Sequence, residues 1–291
     1  VDSAFSALVS IAFHGLAYAM VLYLISVGLS VTMGLMGFVN LAHGAFAMAG
    51  GYLALTLMSQ AGVPFFAAIA IAFVAVAIAG AVIERTLYAR LYNAAELDQV
   101  LFSVALIFMA VASAKFTWGP LSLPVPLPDY LRGQVDLFGR AFPTYRSFLI
   151  LAGAIIVIAV WLGLERTRFG AQIRAAVDNR RMAAALGINT ALLFTCTFAF
   201  GSGLAALGGA LGADILAIDP TYAQEHLIFF LIVVSVGGLG SIRGPFFAAL
   251  LLGITDTACK YLIPEFGAFF IYAATLAVLM WRPNGLFGRA A

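Results

Sequence analysis

Charge is what this chain of 291 residues has least of: 10% of them are Asp, Glu, Lys or Arg, while 64% are hydrophobic. A soluble domain carries about 25% charged residues, so water is not the main solvent of this protein. No charged residue occurs between Asp2 and Glu84, a stretch long enough for three crossings of roughly 20 apolar residues each. No segment has the composition of a soluble domain, and 1–291 reads as a single transmembrane domain. The first residues, Val1, Asp2 and Ser3, lack the basic run of a cleavable leader, so the first apolar stretch is expected to be a retained span. Cysteine is scarce too. Cys196 and Cys259 sit in apolar runs with no second Cys or His at ligand spacing, which argues against a disulfide framework or a metal site. Both are expected to be small buried hydrophobes.

Catalytic motifs are missing as well. Without a Gly-Lys pair there is no phosphate-cradling loop of the G-x-x-x-x-G-K type, so ATP hydrolysis by that route is excluded. There is no His-Glu-x-x-His, no Gly-x-Ser-x-Gly and no Ser-x-x-Lys. The chain is expected to be no enzyme, to hold no catalytic residue, metal or cofactor, and to have membrane lipid but no nucleic acid among its partners.

What is present is a series of apolar segments. Hydropathy predicts helices over 5–30, 41–59, 64–83, 100–115, 147–164, 190–213, 227–239, 246–263 and 266–280, an all-α bundle of about eight or nine spans. Basic residues mark the cytoplasmic side. Alternating the spans brings Arg85 and Arg90, the group Arg166, Arg168, Arg174, Arg180 and Arg181, the pair Arg282 and Arg289, and Arg243 to that side. Asp2 and the loop at about 116–146 then lie outside. That loop holds Arg132, Arg140 and Arg146, so the bias is a majority and not a clean split.

Four features break the apolar monotony. The stretch 28–51 carries Gly28, Gly34, Gly37, Gly44, Gly50 and Gly51 around Asn40 and His43. One reading is a discontinuous or re-entrant segment lining a pathway, since irregular backbone at membrane depth needs protein or water to satisfy it. The other is a tightly packed helix. The stretch 190–213, with Gly201, Gly203, Gly208, Gly209 and Gly212, favours close packing on a neighbouring helix or subunit. The polar cytoplasmic stretch 165–189 predicts a short helix over about 179–186. Asp178 would accept a hydrogen bond at its start, Met182 and Leu186 would share one face, and Gly187 would stop it. Such a helix would present apolar knobs to a partner's groove; a basic loop on anionic lipid is the alternative. In the outer loop, Pro124, Pro126 and Pro128 favour extended chain, either a docking surface for an external protein or a stiff connection. Among the few intramembrane ionisable groups, Asp256 and Lys260 are spaced to pair on one helix face. Asp214, Glu225 and His226 are expected to flank a solvated external turn.

The motifs GFVNLAHGAF at 37–46, MAAALGIN at 182–189, GGLGSIRGP at 237–245 and RPNGLFGR at 282–289 occur in order along nearly the whole chain. With them the sequence resembles the H-type permease subunit of the branched-chain (hydrophobic) amino-acid ABC importers. The Asn40-x-Ala42-His43-Gly44 pattern looks like the H-type and differs from the M-type partner. The resemblance implies a multi-pass bacterial inner-membrane permease working with a second, M-type permease, two ATP-binding subunits that hold ATP and Mg, and a periplasmic substrate-binding protein. It implies that 174–189 is the coupling segment, with Arg174, Asp178, Arg181, Met182, Leu186 and Gly187 as the contact residues. Phe38, Asn40, His43 and Phe46 are the candidate pathway residues. Many amino-acid members of that family have Glu after the His-Gly pair, where this chain has Ala45. Hydrophobic amino acids are therefore the first substrate reading, with urea, short amides or aromatic carboxylates as the alternative. An ATP-independent secondary transporter or channel is the alternative class.

Overall fold

The computed structural model describes residues 2–37, 40–92, 94–137, 140–241 and 243–288. Its backbone is mostly helical. The order is α1 (Asp2–Met36), α2 (His43–Ser59), α3 (Phe65–Ile83), a π-helical turn (Glu84–Tyr88), α4 (Ala89–Leu91) and α5 (Glu96–Trp118). After the outer loop come α6 (Thr144–Arg166), α7 (Arg168–Asp178), α8 (Arg180–Ala185) and α9 (Thr190–Gly212). The series closes with α10 (Tyr222–Glu225), α11 (Leu227–Gly237), α12 (Gly244–Leu262) and α13 (Gly267–Trp281). Each of the nine apolar segments expected from hydropathy lies on one of these helices.

At 35 residues, α1 is about 52 Å long, well beyond the ~30 Å of a hydrocarbon core. It is apolar all round, and from Ala17 to Leu29 almost every side chain is buried, as expected for a helix at the centre of a bundle. α9 and α12 pack along it, and α2 and α3 pack on the other side of α9. Helices α3, α5, α6 and α13 turn large apolar side chains outward, among them Ile78, Phe108, Ile155 and Leu276. Exposed apolar rows of this length are the lipid-facing surface of a membrane bundle.

Small residues set the central spacing. The faces of α1 and α9 meet backbone to backbone at Gly28 and Gly201, and α2 meets α9 at Ala47 with Gly209 and at Gly50 with Ala206. A Cβ on Gly28, Gly50 or Gly209 would collide with the opposite backbone. Apolar surface in lipid gains nothing by association, so this close van der Waals approach is what holds such helices together. The small-residue pattern of 190–213 has the expected consequence.

Two helices start inside the bundle. Gly37 ends α1 in the left-handed region at φ +76°, its N–H donating to the Met33 carbonyl. The chain then doubles back, and His43 at the start of α2 lies beside Ile25. Eleven residues of α1 separate Ile25 from Met36, so α2 begins about 16 Å short of the inner end of α1. The stretch 28–51 is therefore neither of the simple alternatives alone: glycine packing and a re-entrant segment occur together. On the opposite side, the chain after α9 also doubles back. Ala223 of α10 packs on Gly44, and Ile218 on Gly51.

The outer loop departs from expectation. It is extended through the prolines and bridges Leu123 to Ile218, but it then forms a hairpin of β1 (Gln134–Leu137) and β2 (Arg140–Pro143). The register pairs Gln134 with Pro143 and Leu137 with Arg140. Two strands of four residues are too short to leave a periodic signal. Cys259 is buried as expected, whereas Cys196 is exposed on the outer side of α9 and lines an apolar groove with Phe169 and Phe200. The exposure of Cys196 corrects the expectation of a buried side chain, because the apolar run around it does not say which face of α9 it takes.

Candidate functional site

The re-entrant segment is organised by Asn40. Its Oδ1 accepts from the Ala42 N–H at 3.1 Å, a local Asx-turn that bends the backbone toward α2, and from the Tyr88 hydroxyl at 2.7 Å. The residue is 1% exposed, and its Nδ2 has no partner among the described residues. His43, equally buried, holds Nε2 3.0 Å from the Ile25 carbonyl of α1. A carbonyl only accepts, so this contact requires the proton on Nε2. The ring of Phe46 lies 6.3 Å from that of His43 and meets Phe198 of α9 edge-on at 5.6 Å. The fold thus gathers Asn40, His43 and Phe46 at the broken junction of α1 and α2. Phe38 lies outside the described residues.

The polar segment 165–189 is two helices joined at an elbow. Arg174 of α7 turns back to donate to the carbonyls of Leu164 and Glu165, capping the last turn of α6. The expected cap at Asp178 is corrected. Asp178 is the last residue of α7, while Asn179, in extended conformation at φ −155°, caps α8 by accepting from the Met182 N–H at 3.0 Å. An N-cap needs non-helical backbone, and the one-residue elbow supplies it at 179.

The end of α8 is a Schellman motif. Gly187, at φ +85°, donates to the Ala184 carbonyl and Ile188 to that of Ala183, both near 3.0 Å. Ala183 anchors the helix inward, while Arg181, Met182 and Leu186 point outward, Met182 58% and Leu186 75% exposed. Two large apolar side chains left open on a charged, two-turn helix form a projecting surface. Beside it, Arg174, Asp178, Glu165 and Arg243 surround a cavity of about 520 Å³ with an apolar floor that includes Val31 and Ile173. Arg243 pairs with Glu165 at 3.3 Å, which joins the α11–α12 turn to this segment.

Other polar groups fall outside these two sites. Asp256 and Lys260 pair at 2.6 Å on α12, as their spacing indicated. Asp214 and Glu225 are exposed, but His226 stacks on Tyr222 and is half-buried, so the turn is not uniformly solvated. Sequence reasoning missed Glu84, which is 2% exposed at the inner end of α3. Its one visible signal was its place as the first charged residue after Asp2.

A polytopic helical bundle with a broken, glycine-packed core and a projecting helix at its basic end is a membrane permease in architecture. The comparisons agree. Residues 11–279 match the family described as branched-chain amino acid transport system / permease component, and the chain belongs to that family. It is 27% identical over 292 residues to the high-affinity branched-chain amino acid transport system permease protein LivH of Escherichia coli, covering 95% of this chain and 94% of that protein. To the corresponding protein BraD of Pseudomonas aeruginosa it is 26% identical over 289 residues, with the same coverage of each chain. To the permease LivM of Escherichia coli it is 22% identical over 290 residues, covering 92% of this chain and 68% of LivM. No solved structure matches. The chain is therefore a multi-pass ABC-transporter permease of the H-type, similar to LivH over almost its full length.

Proposed function

We propose that this chain is half of the translocation pathway of an importer for hydrophobic amino acids in the bacterial inner membrane. The observation that carries the reading is the full-length match to branched-chain amino acid permeases in a chain whose α8 presents Met182 and Leu186 as a ready docking helix. A second, M-type permease completes the pathway. A periplasmic binding protein delivers substrate, and two ATP-binding subunits, holding ATP and Mg, supply the work. The permease itself contributes no catalytic group. Nucleotide-driven closure of the ATP-binding subunits moves Arg181, Met182 and Leu186, and the bundle rocks between outward and inward access. Asn40, with two amide hydrogens unsatisfied and buried, suits a passing carboxylate or carbonyl oxygen, and His43 and Phe46 shape the same junction.

The alternative substrates, urea, short amides or aromatic carboxylates, are supported by Ala45, where a carboxylate would otherwise face an ammonium group. Purification of the complex from native membranes tests the functional reading. An ATP-binding subunit should co-purify, with vanadate-sensitive ATPase activity. Transport by a complex that lacks any nucleotide-binding partner would contradict it.

A further inference from the structure

Glu84 is a carboxylate buried at the inner end of α3, where the helix widens into a π-turn over Glu84–Tyr88 before resuming as α4. Burying a carboxylate is costly unless hydrogen bonds satisfy it. Two hydroxyls do so here: Tyr92 donates to Oε1, and Thr195 of α9 donates to Oε2 at 2.6 Å. Tyr92 itself and Phe194, the residue before Thr195, touch the segment 165–189. The Arg180 guanidinium, at the first residue of α8, lies 4.5 Å from the centre of the Phe194 ring and 5.7 Å from that of Tyr92. Those two rings meet edge-on at 5.4 Å. At the other end of the π-turn, Tyr88 donates to Asn40 at 2.7 Å.

From these contacts we infer that the π-turn is the joint through which displacement of α8 reaches the re-entrant segment. Arg180 drives the Tyr92–Phe194 pair, Glu84 locks that pair to the turn, and Tyr88 carries the motion to Asn40. The inference rests on the coupling role proposed for α8 and names the residues that act behind it. π-turns are rare and occur mostly as single insertions in α-helices, frequently at functional sites. Returning such a turn to α geometry rotates the following helix by about 100°, one residue's share of a 3.6-residue turn. In this proposal that rotation carries Tyr92 off Glu84 and Tyr88, the last residue of the turn, off Asn40 together, which gives the turn a second discrete arrangement beside the one observed. A discrete two-state element is what coupling over a distance requires. Glu84, Tyr92 and Thr195 are positioning residues and need not touch substrate.

The test is made in the reconstituted complex with its ATP-binding subunits, comparing wild type with Tyr92→Phe, Thr195→Val and Thr195→Ser. Both ATPase rate and substrate moved per ATP are measured. Tyr92→Phe and Thr195→Val should keep the ATP-binding subunits bound and lower substrate moved per ATP by roughly fivefold or more, the lower end of coupling effects. Thr195→Ser, which keeps the hydroxyl, should retain the wild-type ratio. A wild-type ratio in Tyr92→Phe overturns the proposal. So does a parallel fall in both rates, which marks Glu84 as a structural anchor only. If Thr195→Val does not assemble, Tyr92→Phe decides alone, since it removes a single oxygen. A wild-type complex that transports without any ATP-binding subunit would overturn both this proposal and the functional reading beneath it. Failure of the joint alone leaves ATP-driven uptake intact.

Discussion

Tyr88 and Asn40, 48 positions apart in the chain, share a buried hydrogen bond of 2.7 Å that fastens the π-turn after α3 to the re-entrant segment between α1 and α2. Asn40 accepts from the Ala42 N–H with the same oxygen, so one carboxamide fixes both the local turn and its long-range tether.

Replacing Asn40 by Ala removes the oxygen that accepts from two buried donors, the Ala42 N–H and the Tyr88 hydroxyl, whereas Tyr88→Phe removes one donor and leaves Asn40 a partner. Asn40→Ala should cost about 2–3 kcal/mol and Tyr88→Phe about 1 kcal/mol. Thermal unfolding of the purified protein, followed by tryptophan fluorescence, gives the order. Equal stability of the two variants would contradict the tether.

His43 is held to the Ile25 carbonyl with no neighbour at salt-bridge distance among the described residues. His43→Ala should leave assembly intact and alter the uptake rate or the order of preferred substrates, measured by competition among leucine, phenylalanine and urea. A variant identical to wild type in that assay would make His43 a packing residue.

Substitution at the α2–α9 contact should be severe and local. A side chain on Gly209 meets the Ala47 backbone, whereas one on Gly163 of α6 meets nothing. Gly209→Val should lose about 1–3 kcal/mol or more to overpacking and cut the yield of folded protein, while Gly163→Val should be silent. Similar yields of both on gel filtration would remove the argument that glycine sets the helix spacing.

The exposed pair on α8 should matter for docking and not for folding. Leu186→Glu should weaken binding of the ATP-binding subunit by about 2 kcal/mol, the size of an interface hot spot, with no change in melting temperature. Gly187→Pro acts differently, because proline cannot adopt φ +85°. It should uncouple ATP hydrolysis from uptake while the external binding protein still binds substrate. Unchanged uptake in Gly187→Pro would contradict the coupling assignment.

The apolar helices were legible because lipid imposes an apolar composition on each of them, but five of the described helices are long and apolar enough to cross, fewer than the eight or nine spans expected, because the 11 residues of α11 are too few to cross alone. Met182, Leu186 and Gly187 were legible for a similar reason: a helix stop and an apolar face are local properties. The cap was misplaced by one residue because Asp178 and Asn179 are both good caps, and only the elbow between α7 and α8 decides which of them has extended backbone. The joint at Glu84 was invisible. Its meaning depends on Thr195, 111 positions away in sequence, and on a π-turn that side-chain pattern does not encode. The outward face of Cys196 was equally hidden, since lipid and protein interior ask for the same apolar neighbours.

The most direct measurement is uptake of a radiolabelled branched-chain amino acid into liposomes bearing the complete complex, with binding protein outside and ATP inside. Uptake should require ATP and stop with vanadate. Uptake driven by an ion gradient without ATP would contradict the account.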